Sequence, residues 1–195
     1  ERRLRIYIDG RKLDNDSIGV IFDSPKLLDL IGKNKLENRK NALPKFKTCS
    51  KYFEATKSNE NVIVENTQRN ELGHCELRIV LNEEGSKSVA ILRKGMTITD
   101  ELDGLKSFPS FKNFSAVFFC KNKKGNELLR LMEPPRHDDF EPERLGDDHP
   151  KGRRALKEIQ KWVREMLAKH AKDPVTETTE ITELRDFFPE EGSGG

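Results

Sequence analysis

Three features of this 195-residue sequence predict an α+β domain (mixed α/β type): a largely antiparallel sheet with a long C-terminal amphipathic helix packed on it. Apolar runs of strand length, HCELRIVL, SVAILRKGMTIT and SAVFFCK, crowd residues 74–121. Polar, glycine-bearing stretches separate them, the punctuation expected between strands. Beyond them Leu156, Ile159, Val163, Met166, Leu167 and His170 recur at three- and four-residue spacing, with Trp162 at the edge of the stripe. That periodicity predicts a helix over Lys151–Lys172. The expected organisation is a sheet domain with short helices over 1–150, the helix 151–172 packed on it, and an acidic, partly disordered tail over 173–195.

Taken in order, RLRIYI alternates Leu4, Ile6 and Ile8 against Arg3, Arg5 and Tyr7, a half-buried strand. Asp9-Gly10 supplies a hairpin turn into RKL. IGVIF from Ile18 reads as a strand or a loop edge, and PKLLDLIGKNKLENRK as a short helix broken by Gly32. Residues 57–73 are polar and read as loop around a short Val62-Ile63-Val64 run. In ELRIVL the residues Leu77, Ile79 and Leu81 alternate with Glu76, Arg78 and Val80, and SVAILR returns after a polar turn, which predicts an antiparallel hairpin. Gly95 suggests a bulge or a close approach to the backbone before Met96–Thr99 resumes as strand. LKSFPSFKNF brings three phenylalanines, expected under the sheet. SAVFFCK is uniformly apolar, as an inner strand requires. Asn126 is the expected N-cap of ELLRLM, and Pro134-Pro135 ends that helix. In the tail, ELRDFF reads as a docking turn anchored by Leu184, Phe187 and Phe188.

Length and a 34% hydrophobic content allow one cored domain, and the net charge of +2 conceals strong local asymmetry. Cys49, Cys75 and Cys120 are an odd number without CxxC spacing, which argues against a disulfide framework or zinc ribbon. No apolar run has the length of a membrane span, and the expectation is a cytoplasmic protein without a membrane partner. Glu1 in place of a methionine and the closing GSGG are expected of a piece of something longer.

Two basic surfaces invite a nucleic-acid reading. Residues 26–57 carry nine Lys/Arg against three acids, including Lys45, Lys47 and Lys51, with Phe46, Tyr52 and Phe53 interleaved. Cations there would meet phosphates and aromatics would stack bases. The polar face of the C-terminal helix adds Arg153, Arg154, Lys157, Lys161, Arg164 and Lys169. The alternative for both is an ordinary solvated basic face. Residues 133–148 hold seven acids and two arginines, and His137, Asp138, Asp139 and His149 are donors several divalent ions accept. They lack HxxxH or HExxH spacing, so the expectation is no metal site. A metal-dependent nuclease on Asp138 and Asp139 is the least favoured function. The sequence also lacks G-x-x-x-x-G-K-[ST], G-x-G-x-x-G after a strand, and G-x-S-x-G, so this chain alone is not expected to be an enzyme.

The succession SVAILRKGMTIT, SAVFFCKNKKGNELLRLMEPPRHDDFEPERL, ALKEIQKWVREML and ELRDFFP resembles the region that follows the ATP-binding domain in bacterial proteins of the GHKL superfamily (gyrase B, heat-shock chaperone, histidine kinase and MutL types). More narrowly, it is similar to stand-alone ATP-binding proteins of that superfamily associated with phage defence. The resemblance spans about residues 70–190. It implies a non-catalytic transducer, or middle domain, that couples ATP binding elsewhere to a partner or nucleic acid. Such domains supply a cation to the γ-phosphate, and Arg93 and Lys94, at a strand end beside Gly95, are the candidates. The resemblance further implies no cofactor in this chain, ATP and magnesium in the parent protein, and an N-terminal ATP-binding domain as first partner. DNA and a second copy of the chain are the other candidate partners.

Overall fold

The computed structural model describes residues 6–8, 11–13, 25, 42–57, 60–82 and 87–172. The expectations for 18–22, the helix from Pro25 and the docking turn at 184–188 lie outside the described residues, as do the side chains of Lys45 and Phe46. Strands β1 (Ile6–Ile8) and β2 (Arg11–Leu13) pair antiparallel, with Ile8 opposite Arg11; the expected Asp9-Gly10 turn between them lies outside the described residues.

The main sheet holds β3 (Val62–Arg69), β4 (Gly73–Leu81), β5 (Lys87–Arg93), β6 (Met96–Thr99) and β7 (Phe114–Cys120) in the order β3-β4-β7-β5-β6. Helix α1 (Ala42–Thr56) covers one face, and α2 (Lys123–Met132) and α3 (His149–Ala171) cover the other. The fold is α+β, as expected. β7 explains the strand order. All but one of its seven residues are buried, so it needs a neighbour on each edge and cover on each face. It pairs antiparallel with β4 and parallel with β5.

That arrangement corrects the expected β4–β5 hairpin: the two strands are not neighbours, because β7 lies between them. A second correction concerns residues 57–73. Val62–Arg69 is an edge strand, paired with β4 from Val62 opposite Val80 to Arg69 opposite Gly73. An edge strand covered on part of one face can be polar, which is why its run VENTQR did not read as strand.

Alternation along the strands sorts the core. Leu77, Ile79, Val89, Ile91, Phe114, Ala116 and Phe118 face α2 and α3, where Leu129, Met132, Ile159, Trp162, Val163 and Leu167 meet them. Trp162 is thus interior rather than at the stripe's edge, its ring edge-on to Phe118 with centroids 6.2 Å apart. Phe108 and Phe111 of the connection pack edge-to-face with Phe114, as expected of rings beneath the sheet. On the opposite face Tyr52 and Ala55 of α1 meet Val80, Ala90, Leu92 and Val117.

Local chemistry sets the element ends. Lys94 and Gly95, with φ of 50° and 84°, form the two-residue turn between β5 and β6, with Arg93 opposite Met96. Positive φ at both positions is the requirement of a type I′ turn, and it accounts for Gly95. No atom lies within 4 Å of the Cβ it lacks, and the bulge falls instead between Ile91 and Leu92. The N-cap of α2 is Asn122 rather than Asn126, its Oδ1 accepting from the amides of Lys124 and Gly125. Asn126 donates instead to the carbonyls of Cys120 and Asn122. Glu133, ahead of the two prolines, ends α2. A 3₁₀ segment, Pro142–Asp148, leads into α3, which starts two residues earlier than expected. Among the described residues, no helix is long and apolar enough to cross a membrane.

Candidate functional site

The candidate site is the tip of the β5–β6 hairpin and its base. β5 ends on Arg93, which follows Val89 and Ile91 onto the α2 face and reaches the end of that helix. There its Nε and Nη2 donate to the two carboxylate oxygens of Glu133, the Nη2 bond being 2.7 Å. Glu133 has a fully buried side chain, and it also takes a 2.8 Å hydrogen bond at His137 Nδ1. Burial pushes its carboxyl upward most strongly, yet the bonds from Arg93 and His137 together hold it below the usual carboxylate range. Glu133 in turn raises the Arg93 guanidinium further. A carboxylate at the negative end of a helix dipole needs such a cation, so the pair locks hairpin to helix.

Lys94 is the next residue, and its situation is different. It sits on the turn itself, exposed, flanked by exposed Gly95, Met96 and Thr97. It makes no ion pair with another described residue. Its field reaches Glu127 on α2, whose carboxyl is held low first by Arg130, at 2.6 Å, and more weakly by Lys94 and Arg93. Of the two candidate cations, one is bound into the fold and the other is presented by it.

The proposed nucleic-acid residues are dispersed. Lys47 is exposed on α1, and Lys51 pairs with Glu54 at 2.8 Å. Tyr52, expected as a stacking ring, is buried against the sheet with its hydroxyl 3.5 Å from Asp100, and burial pushes that hydroxyl's pKa upward. On α3 the cations mostly meet acids or carbonyls. Arg153 pairs with Glu143 at 2.6 Å, Arg154 with Glu71 at 2.9 Å, Lys169 with Glu65 at 2.7 Å and Lys161 with Glu165 at 4.0 Å. Arg164 donates to the carbonyls of Gly104 and Ser107 and lies over the Phe108 ring. Lys157 is exposed.

In the acidic loop His137 is taken by Glu133, Asp138 by Arg136 at 3.3 Å, and His149 Nδ1 by the Gly146 carbonyl. Among the described residues no three His, Cys, Asp or Glu side chains gather as metal ligands. An open depression of about 360 Å³ is lined by Lys87, Ser88, Asp100, Glu101, Leu105 and Lys106, charges of both signs with no convergent set of donors.

Sequence reasoning missed Glu133. The available signal was its position: an acid directly after a helix's last turn and before Pro134-Pro135 is unfavourable unless a cation meets it. No protein-family model, curated protein or solved structure matches the chain.

Proposed function

We propose that this chain is a non-catalytic transducing module of a larger GHKL-type ATPase, working in the cytoplasm, and that Lys94 is the cation it offers to the nucleotide. ATP and magnesium would be held by the ATP-binding domain of that machine, which is this module's first partner. The observation that carries the reading is the contrast at the hairpin. Arg93 is committed to buried Glu133, while Lys94 stands exposed one residue further, on a two-residue turn whose base that pair pins. A phosphoryl group in transfer spreads negative charge over its oxygens, and a cation delivered by a closing domain stabilises it best when its backbone is already fixed. Lys94 meets that requirement. The compensated cations of α3 give DNA a less concentrated footprint than the sequence suggested, and the transducer reading is preferred on that ground.

The test is ATP turnover by the whole ATPase, with nucleotide affinity and thermal midpoint measured alongside. Lys94→Ala is expected to lower kcat at least tenfold, about 1.4 kcal/mol of barrier, with affinity and midpoint held. Arg93→Ala is expected to act first on the midpoint. Turnover by Lys94→Ala equal to that of the unaltered protein would overturn the assignment.

A further inference from the structure

Away from the hairpin, two thiols face each other across the sheet. Cys75 on β4 and Cys120 on β7 are directly opposite in register. The next pair out is hydrogen-bonded, Lys121 N donating to the His74 carbonyl at 2.8 Å. Hydrogen-bonded and non-hydrogen-bonded pairs alternate along an antiparallel ladder, so Cys75 and Cys120 form a non-hydrogen-bonded pair. Such pairs bring Cα atoms to ~4.5 Å and side chains closest together, within the span a disulfide bridges. Both residues point to the α2/α3 face, and both are buried as free thiols.

Their surroundings favour reaction over simple packing. Cys120 precedes the Asn122 cap of α2, the positive end of that helix, where a thiolate is stabilised. Hydrogen bonding from Cys75 holds the Cys120 thiol below its usual range, and the same contact, with burial, pushes Cys75 up. The Arg69 guanidinium adds positive charge near Cys75, partly offset by Glu158. Gly125 leaves the room: a Cβ there would lie 2.6 Å from Cys120 Sγ and 2.1 Å from the Leu72 carbonyl. Besides Cys75, the Cys120 sulfur contacts the carbonyls of Leu72 and Asn122, at 3.3 and 3.6 Å.

We propose that Cys75 and Cys120 are a redox modification site, closing into a reversible cross-strand disulfide when the chain meets hydrogen peroxide. Cys120 sulfur attacks the O–O bond, one oxygen staying as the sulfenic acid and the other leaving with the thiol proton as water. The Cys75 sulfur then attacks the Cys120 sulfur, and the sulfenic hydroxyl leaves with the Cys75 proton as a second water. Two thiols are oxidised and one peroxide is reduced. A thiol reductant returns the pair.

The experiment uses a Cys49→Ser chain, because Cys49 is the exposed thiol and would give intermolecular products. The native protein is treated with hydrogen peroxide at doses that oxidise Cys49 in the unaltered chain. It is then quenched, unfolded in an alkylating agent and mapped without reduction, with circular dichroism confirming that the fold persists. The expected result is a monomer in which the Cys75 and Cys120 peptides travel as one species, alkylatable thiols falling from two to none, and both returning with dithiothreitol. Two thiols still alkylated at those doses would overturn the proposal. So would sulfinic acid on either residue, or a bridge formed only when peroxide is added to the unfolded chain.

Discussion

The two faces of the sheet are built differently. Toward α2 and α3, the strands present large apolar side chains that meet two helices and the phenylalanine connection, all in one continuous core. Toward α1, the described residues form a smaller cluster, and the same strands also carry charge. Glu76 accepts from Arg78 at 2.7 Å and from Lys121 at 3.1 Å, while Arg78 reaches the Thr56 carbonyl at the end of α1. Burial presses the Glu76 carboxyl upward, and the two cations together hold it low. One face is a packed interior, and the other fastens a helix with a mixture of apolar and ionic contacts.

The sharpest way to break this contrast is one truncation made on both faces. Leu77→Ala opens a cavity in the large core, and Leu92→Ala does so beneath α1. Buried Leu→Ala changes span about 2.7–5.0 kcal/mol according to how far the surroundings collapse. Leu77→Ala is expected near the top of that range and Leu92→Ala near the bottom, by urea unfolding. Equal losses would mean that both faces are packed alike.

The ion pair at the hairpin base comes next in size. Removing one partner of a buried pair leaves the other charge stranded, typically at a cost of about 3–5 kcal/mol. Arg93→Ala is expected at the low end, because His137 still bonds Glu133. The pH dependence gives an independent check. Glu133 has a folded pKa below its unfolded value, so its contribution is present above the unfolded value, about 4.3, and is lost as pH falls through the folded one. The stability gap between unaltered protein and Arg93→Ala is therefore expected to be widest near neutrality and to close in acid. A gap that stayed constant down to about pH 3 would show that the guanidinium acts through packing rather than charge.

How much of this was readable beforehand follows the same division. The α2/α3 face was legible because its pattern is strong: SAVFFC had to be interior, and the α3 stripe named Leu156, Ile159, Val163 and Leu167 as buried, though its Met166 and His170 are only half-buried. β3 was not legible, since its half-covered face is held by polar contacts from α3. Glu65 receives Lys169 and His170, and Arg69 lies over Trp162. No alternation in VENTQR announces partners a hundred residues away. Strand order failed for a related reason: the neighbour of β4 on its inner edge is β7, not the next strand in sequence. At the candidate site, Arg93 and Lys94 stood out as cations at a strand end. Only Glu133, forty residues on, decides which of them is occupied.

The smallest effect probes where the two thiols, the helix start and the β3–β4 turn converge. Asn122 caps α2 through the amides of Lys124 and Gly125. It also packs against Gly73, where a Cβ would fall 2.6 Å from the Asn122 side chain. Loss of an N-cap side chain costs about 1 kcal/mol, and Asn122→Ala is expected to lose that much in urea unfolding. Asn122→Asp keeps an acceptor and adds a favourable charge at the helix start, so it is expected to retain the stability. If Asn122→Ala cost nothing, the first turn of α2 would be held by the seating of Gly125 under Leu72 and Cys120 alone. Gly125→Ala would then be the substitution that releases the helix.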